Sequence, residues 1–248
     1  MSSDNKTMDT ASADTTAKEV PTVFRERIFD AEFARNNKAY WLPTSMIVAF
    51  GLWHIVTNLY LNEPGSWQNC IHFGGFALIA AISSPTFRFE KDRAWAIGLD
   101  ILYGLLVFAA ACWIAYAEDG LYTRTLAKTG QTWQLTFLDW AAGLTVIFAA
   151  IDLTRRLTGW IIPILIIVAM SYILFLGEVL PGAFRAASLP LSDVLFRSMY
   201  NDEGMFGIIT TISSANIALF MIFGAFLVVS GASDFVIEFA KIVAGRFR

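Results

Sequence analysis

The chain has 248 residues, 56% of them hydrophobic and 16% charged, and a mean hydropathy of +0.55, whereas a soluble domain carries about 25% charge. This composition excludes an ordinary soluble domain, and a net charge of −3 without a long acidic or basic block argues against nucleic acid as a partner. The apolar stretches are continuous, about twenty residues each, and do not alternate, so the chain reads as an all-α polytopic membrane protein with about six transmembrane helices rather than a β-barrel.

Residues 1 to about 20 are dominated by Ser, Thr, Asp, Ala and Lys, too poor in large apolar side chains to offset the entropy of ordering, and are expected to be disordered. No apolar segment follows Met1, so no cleavable signal peptide is predicted. Between Val23 and Asn37, charged residues are interleaved with Phe24, Ile28, Phe29 and Phe33. The pattern suits either a short helix at the membrane surface or a solvated linker. Residues 1–38 are accordingly taken as a cytoplasmic tail.

Six spans are predicted: 42–61, 70–87, 94–117, 134–153, 157 or 159 to 180, and one within the charge-free run 204–233. Tyr40, Trp41, Tyr60 and Trp67 flank the first, as expected of amphipathic rings at headgroup level. Only Thr154, Arg155 and Arg156 separate the fourth from the fifth, which predicts a tight helical hairpin. In the outer connection, Ser192 can cap a short helix over 193–200 that would lie along the interface. Beyond the sixth span, Val236, Phe239, Ala240, Val243 and Phe247 recur at helical spacing, either an interfacial helix or the start of another span. Fourteen Lys and Arg fall in the tail, the second and fourth connections and the C-terminus, against four (Arg124, Lys128, Arg185 and Arg197) in the opposite loops. The positive-inside rule then places both termini in the cytoplasm.

Ionisable residues inside spans are the default place to seek transport chemistry. Asp152 stands one turn from Arg155 and Arg156, which an ordinary ion pair explains. Asp100, about two turns into span three, and Asp139, about one and a half turns into span four, are open to either a structural or an ion-coupling role. Span six begins with Thr210, Thr211, Ser213, Ser214 and Asn216, suited to helix packing or to a substrate contact. The candidates for substrate or ion binding are therefore Asp100, Asp139, Ser213, Ser214 and Asn216.

His54 and His72, on consecutive spans, lie at different predicted depths, which disfavours a shared haem or copper. Cys70 and Cys112 read as inert core residues. No nucleophile elbow, H-E-x-x-H or phosphate-binding loop is present, so no catalytic or metal-binding residue is assigned and no ATP-driven engine is read from the chain. Energy for transport would come from an ion gradient or another subunit.

From span four onward, ordered blocks carry a resemblance. They are Leu138-Asp139-Trp140, then Arg155-Arg156-Leu157-Thr158-Gly159-Trp160 and Leu180-Pro181-Gly182. There follow Met199-Tyr200 with Glu203-Gly204-Met205-Phe206-Gly207, then the run from Leu219 to Leu227 with Ser230-Gly231. Together they resemble the fused permeases of tripartite ATP-independent periplasmic (TRAP) transporters of the TAXI-associated type, in their N-terminal portion. Ile71-His72-Phe73 and Pro85 are compatible with the four-helix small-subunit-like part that opens such fusions.

The chain departs from the family where Ala183-Phe184-Arg185-Ala186-Ala187 replaces a His-Arg-Gly-like element, and where it reads Arg246-Phe247-Arg248 and ends while the family continues past the position of Gly245 into a Gly-Gly-Pro-Ala stretch and a re-entrant hairpin. The resemblance implies uptake of an organic anion, coupled to Na+ or H+, in the bacterial inner membrane. A periplasmic TAXI-type solute-binding protein would deliver the anion. Residues 39–156 would form the small-subunit-like domain and 157–248 the opening of the large-subunit domain, the rest of which would be encoded separately or lost. No cofactor is implied. An alternative from another class, motivated by His54, His72, Asp100 and Asp139, is the membrane subunit of a redox or metal-dependent oxygenase.

Overall fold

The structure, a computed structural model, describes residues 41–61, 65–84, 86, 94–126 and 133–245. The tail at 1–38, the basic residues Arg88, Lys91, Arg93 and Lys128, and the last residues 246–248 lie outside the described residues. Every regular element among the described residues is helical. The longer ones are α1 (Trp41–Tyr60), α2 (Gly65–Ser83), α3 (Ala94–Leu126), α4 (Phe137–Thr158) and α5 (Ile161–Val179). These are followed by α6 (Leu191–Met199), α7 (Ile208–Val229) and α8 (Ala232–Gly245).

Among the described residues, four helical segments are long and apolar enough to cross a membrane: Trp95–Arg124, Phe137–Thr158, Ile161–Val179 and Ile208–Val229. The chain is thus all-α in its described part, with the helices of a membrane protein. Of the two further expected spans, α1 and α2 have 20 and 19 residues. The first half of α2 carries Ser66, Gln68, Asn69 and His72, which lower its hydropathy.

The strongest packing is α2 against α3, and small residues make it. A Cβ on Gly74 would stand 3.1 Å from the Cα of Phe108, and one on Gly104 would stand 3.0 Å from the Cα of Leu78. The two backbones therefore approach as closely as dispersion contact allows, with Ala77, Ala81 and Ala111 buried in the seam. α4 closes this core with Ala142, Val146, Ala149 and Leu153, while α1 and α7 lie on the other side of α2.

The helix limits differ from the predicted ones for local reasons. α3 runs nine residues past Ala117, through Glu118, Asp119 and Arg124, so it projects polar turns beyond its apolar stretch. α4 starts at Phe137, capped by Thr136, whose hydroxyl receives the Asp139 amide while the Asp139 carboxylate receives the Thr136 amide. Thr154, Arg155 and Arg156 are helical rather than the turn. The chain breaks at Gly159, which takes φ 88°, a left-handed value that favours glycine.

The outer connection also departs from the prediction. Ser192 is inside α6 and does not cap it; the N-cap position belongs to Pro190. Instead of lying on a surface, α6 buries Val194, Leu195, Phe196 and Met199. Leu195 sits over Gly143 of α4, and Phe196 stacks on Trp133 with Tyr122 edge-on. The last predicted span begins at Ile208, after a turn over 201–207, and ends before Gly231, also left-handed at φ 74°. α8 is then a separate helix whose Phe235, Val236, Phe239 and Val243 are exposed.

Candidate functional site

The three acids expected inside spans, Asp100, Asp139 and Asp152, fall into two clusters at opposite ends of the α3–α4 pair. At one end Asp139, fully buried, accepts from the Trp113 indole at 3.0 Å, the Arg124 guanidinium at 2.8 Å and the Thr136 amide at 2.8 Å. Its own carbonyl oxygen accepts from the Tyr200 hydroxyl at 2.8 Å. Because α4 starts later than predicted, Asp139 is the third residue of that helix, where a carboxylate suits the helix dipole and the exposed amides. Its acceptor sites are taken by protein donors, an arrangement that fixes α3, α4 and the segment after α6 together.

At the other end Asp100, also buried, accepts from the Thr86 hydroxyl at 2.5 Å and the Thr86 amide at 3.2 Å. Arg156 of α4 lies 4.0 Å from the same oxygen, donates to the Ser84 carbonyl at 3.0 Å, pairs with Asp152 and covers the Tyr103 ring. Asp152 also receives Arg155 at 2.8 Å. The predicted Asp152 ion pair is present, and it extends to Asp100 through Arg156. This network joins the end of α2, the start of α3 and the end of α4, so Ser84, Thr86, Arg155 and Arg156 share one end of the bundle.

Ser213 and Ser214 belong to a different site, at the junction of α1, α2 and α7. Here α7 loosens into a π-helical turn, Ser213–Ile217, a form that recurs at functional positions. His54 of α1 and His72 of α2 meet ring to ring, Nε2 to Nδ1, at 2.7 Å. His54 Nδ1 is 2.8 Å from the Phe50 carbonyl, and His72 Nε2 is 3.1 Å from the Ser213 hydroxyl. Ser214, fully buried, donates to Asn69 at 2.8 Å. Asn69 in turn donates to the Phe206 carbonyl and to Thr211, both at 2.7 Å. Asn58 donates to the carbonyls of His54 at 2.8 Å and Ser214 at 3.1 Å, and receives Gln68 at 2.8 Å. Asn216, by contrast, is exposed on the outer side of the π-helical turn.

Beside the histidines lies a cavity of about 620 Å³, walled by Ile47, Phe50, Phe73, Phe76, Met221 and other apolar residues. Its polar groups are His54, His72, Thr210 and Ser213. Phe50, Trp53 and Phe76 stand edge-to-face with the imidazoles at 4.6–4.8 Å between ring centres.

The pairing of the histidines was not foreseen, because span two was expected to start at Cys70. It starts at Gly65, which puts His72 about two turns into the helix and level with His54. The signal was present: Pro64-Gly65-Ser66 reads as a helix start, and His54 with Asn58, and Gln68 with His72, are polar pairs at i,i+4 in otherwise apolar helices. Among the described residues no group of three or more His, Cys, Asp or Glu side chains converges as a metal cage would require. Each histidine directs a ring nitrogen at the other.

Comparison with family models, with curated proteins and with solved structures finds no match for this chain.

Proposed function

We propose that this chain is a membrane permease component of a TRAP-type secondary transporter, contributing scaffold and docking surface to ion-driven uptake of an organic anion. The ordered motifs from Leu138 to Gly231 motivate the reading. In this reading six helices span a bacterial inner membrane, with both termini cytoplasmic. A TAXI-type solute-binding protein presents the anion from the periplasm, and Na+ or H+ supplies the energy.

The observation that carries the proposal is an asymmetry in packing. A third of the apolar window of α3, and of α4, is buried, but only 11% in α5 and 6% in α7. The α2–α3–α4 bundle, with α1 beside it and α6 packed onto Gly143, holds most of the buried residues. α5 and α7 present Ile161, Leu165, Phe175, Phe220 and Phe226 outward and need lipid or further membrane helices against them. Such an arrangement suits a small-subunit-like scaffold joined to the first helices of a large-subunit domain.

The test is reconstitution of the full chain into vesicles with a TAXI-type binding protein. The proposal expects saturable docking of the binding protein to the outer face and no uptake until the large-subunit segment is added. Sodium- or proton-driven uptake by this chain alone overturns the scaffold role. Absence of docking, with both termini found on the periplasmic side by reporter fusions, overturns the family reading.

A further inference from the structure

We propose that His54 and His72 form a binding site for a single proton, shared between the two rings and read out by Ser213 of α7. The inference goes beyond the permease reading and does not rest on it.

The hydrogen-bond directions follow from one fixed point. The Phe50 carbonyl can only accept, so His54 Nδ1 carries hydrogen. A neutral imidazole then offers a bare Nε2, which must accept from His72 Nδ1–H across 2.7 Å. His72 in turn is bare at Nε2 and accepts from the Ser213 hydroxyl at 3.1 Å. Ser213, His72, His54 and Phe50 thus form a one-way chain in which every ring hydrogen is assigned.

Such a chain has one place to receive a proton. The His72 Nε2 lone pair takes it from a hydronium ion in the adjoining cavity, which leaves water behind. Ser213 keeps its own hydrogen and turns the hydroxyl round, now accepting from Nε2–H and pointing its hydrogen into the cavity. At about 620 Å³ the cavity has room for a water there, with Thr210 beside it. The charge need not stay on His72, because its Nδ1 hydrogen can cross the short bond to His54 Nε2. A second proton is refused: it would place hydrogen on both facing nitrogens and set two cations side by side.

The surroundings define the charge balance. From α1 the pair is faced by Phe50 and Trp53, from α2 by Phe76, and from α7 by Ser213 and Thr210. No Asp, Glu, Lys, Arg, Cys or Tyr is among the described residues lining the cavity. The added charge is therefore held by the Phe50 carbonyl and the Ser213 oxygen, with no counter-ion among the described residues lining the cavity. Because Ser213 opens the π-helical turn, the reversal of its hydrogen bond is felt where α7 meets α1 and α2.

The chain holds only these two histidines, so a histidine-selective spectrum reports the pair alone. The full chain, labelled with ¹⁵N-histidine and placed in lipid nanodiscs without a His tag, is titrated between about pH 8 and pH 4. The expected result is that both neutral rings carry hydrogen at Nδ1, and that both sets of signals move together through one midpoint as one proton enters. Ser213→Ala should weaken proton binding about tenfold, since a bond to a charged donor is lost in exchange for a neutral one. Ser213→Thr, which keeps the hydroxyl, should restore it. An Nε2–H tautomer on either neutral ring, independent titration of the two, no protonation by pH 4, or a Ser213→Ala midpoint equal to wild type each overturns the proposal.

Discussion

The Tyr200 hydroxyl donates to the Asp139 carbonyl oxygen across 2.8 Å, tying the residue that ends α6 to the first turn of α4. Tyr200 is buried, and that burial, reinforced by the nearby Asp139 carboxylate, pushes its ionisation above the ordinary tyrosine range. A value raised in the folded state means that stability from the neutral phenol is complete below about pH 10 and is lost as pH rises through the folded value. Tyr200→Phe should therefore cost about 1 kcal/mol at neutral pH and remove part of the alkaline destabilisation. Unfolding in mild detergent at pH 7 and at higher pH, wild type against variant, checks both.

α6 is a core element, and a pair of leucines on it separates that statement from the surface-lying helix expected of its sequence. Leu195 is buried against Gly143, whereas Leu191 is exposed. Leu195→Ala should cost about 2–5 kcal/mol through lost burial and a residual cavity. Leu191→Ala should stay within about 0.5 kcal/mol. Thermal unfolding of both variants, read by circular dichroism, distinguishes the two positions; equal small effects would return α6 to the surface.

The helical class was legible because length and continuity of apolar runs need no knowledge of neighbours. Where helices start was less so, and the errors propagated. Starting span four at Gln134 instead of Phe137 moved Asp139 from a capping position to an acid about one and a half turns inside the span. Starting span two at Cys70 instead of Gly65 separated His72 from His54 in depth. Both misreadings came from hydropathy, which follows side chains, while a helix start is set by backbone amides and their caps. The burial of α6 was invisible for another reason. An amphipathic helix has the same pattern whether its apolar face meets lipid or Gly143, and only the fold decides.

Two glycines of α3 should respond to the same substitution with opposite sign. At Gly104 an added methyl would stand 3.0 Å from the Leu78 Cα, a backbone atom that cannot turn away. At Gly98 nothing lies within 4 Å. Gly104→Ala should destabilise by about 1–3 kcal/mol through overpacking, while Gly98→Ala should stabilise by about 0.5–1 kcal/mol through helix propensity. Detergent-unfolding midpoints give the signs directly, and a stable Gly104→Ala protein would mean that α2 and α3 are further apart than described.

Arg156 is the cation on which the Asp100 end of the bundle depends, since it reaches Asp100, Asp152, the Ser84 carbonyl and the Tyr103 ring from one buried position. Arg156→Met removes the charge while keeping an extended apolar chain, and takes the guanidinium away from the buried Asp100 carboxylate, which keeps its bonds from Thr86. Breaking a buried pair from one side costs about 3–5 kcal/mol, because the stranded charge keeps its desolvation penalty. Asp152 loses less, for it retains Arg155 at 2.8 Å and is partly exposed. Combining Arg156→Met with Asp100→Leu should recover a large part of that loss, because neither buried charge remains. A double variant no more stable than Arg156→Met alone would show that Asp100 is held by something other than this arginine, and would reopen it as a group kept for ion coupling.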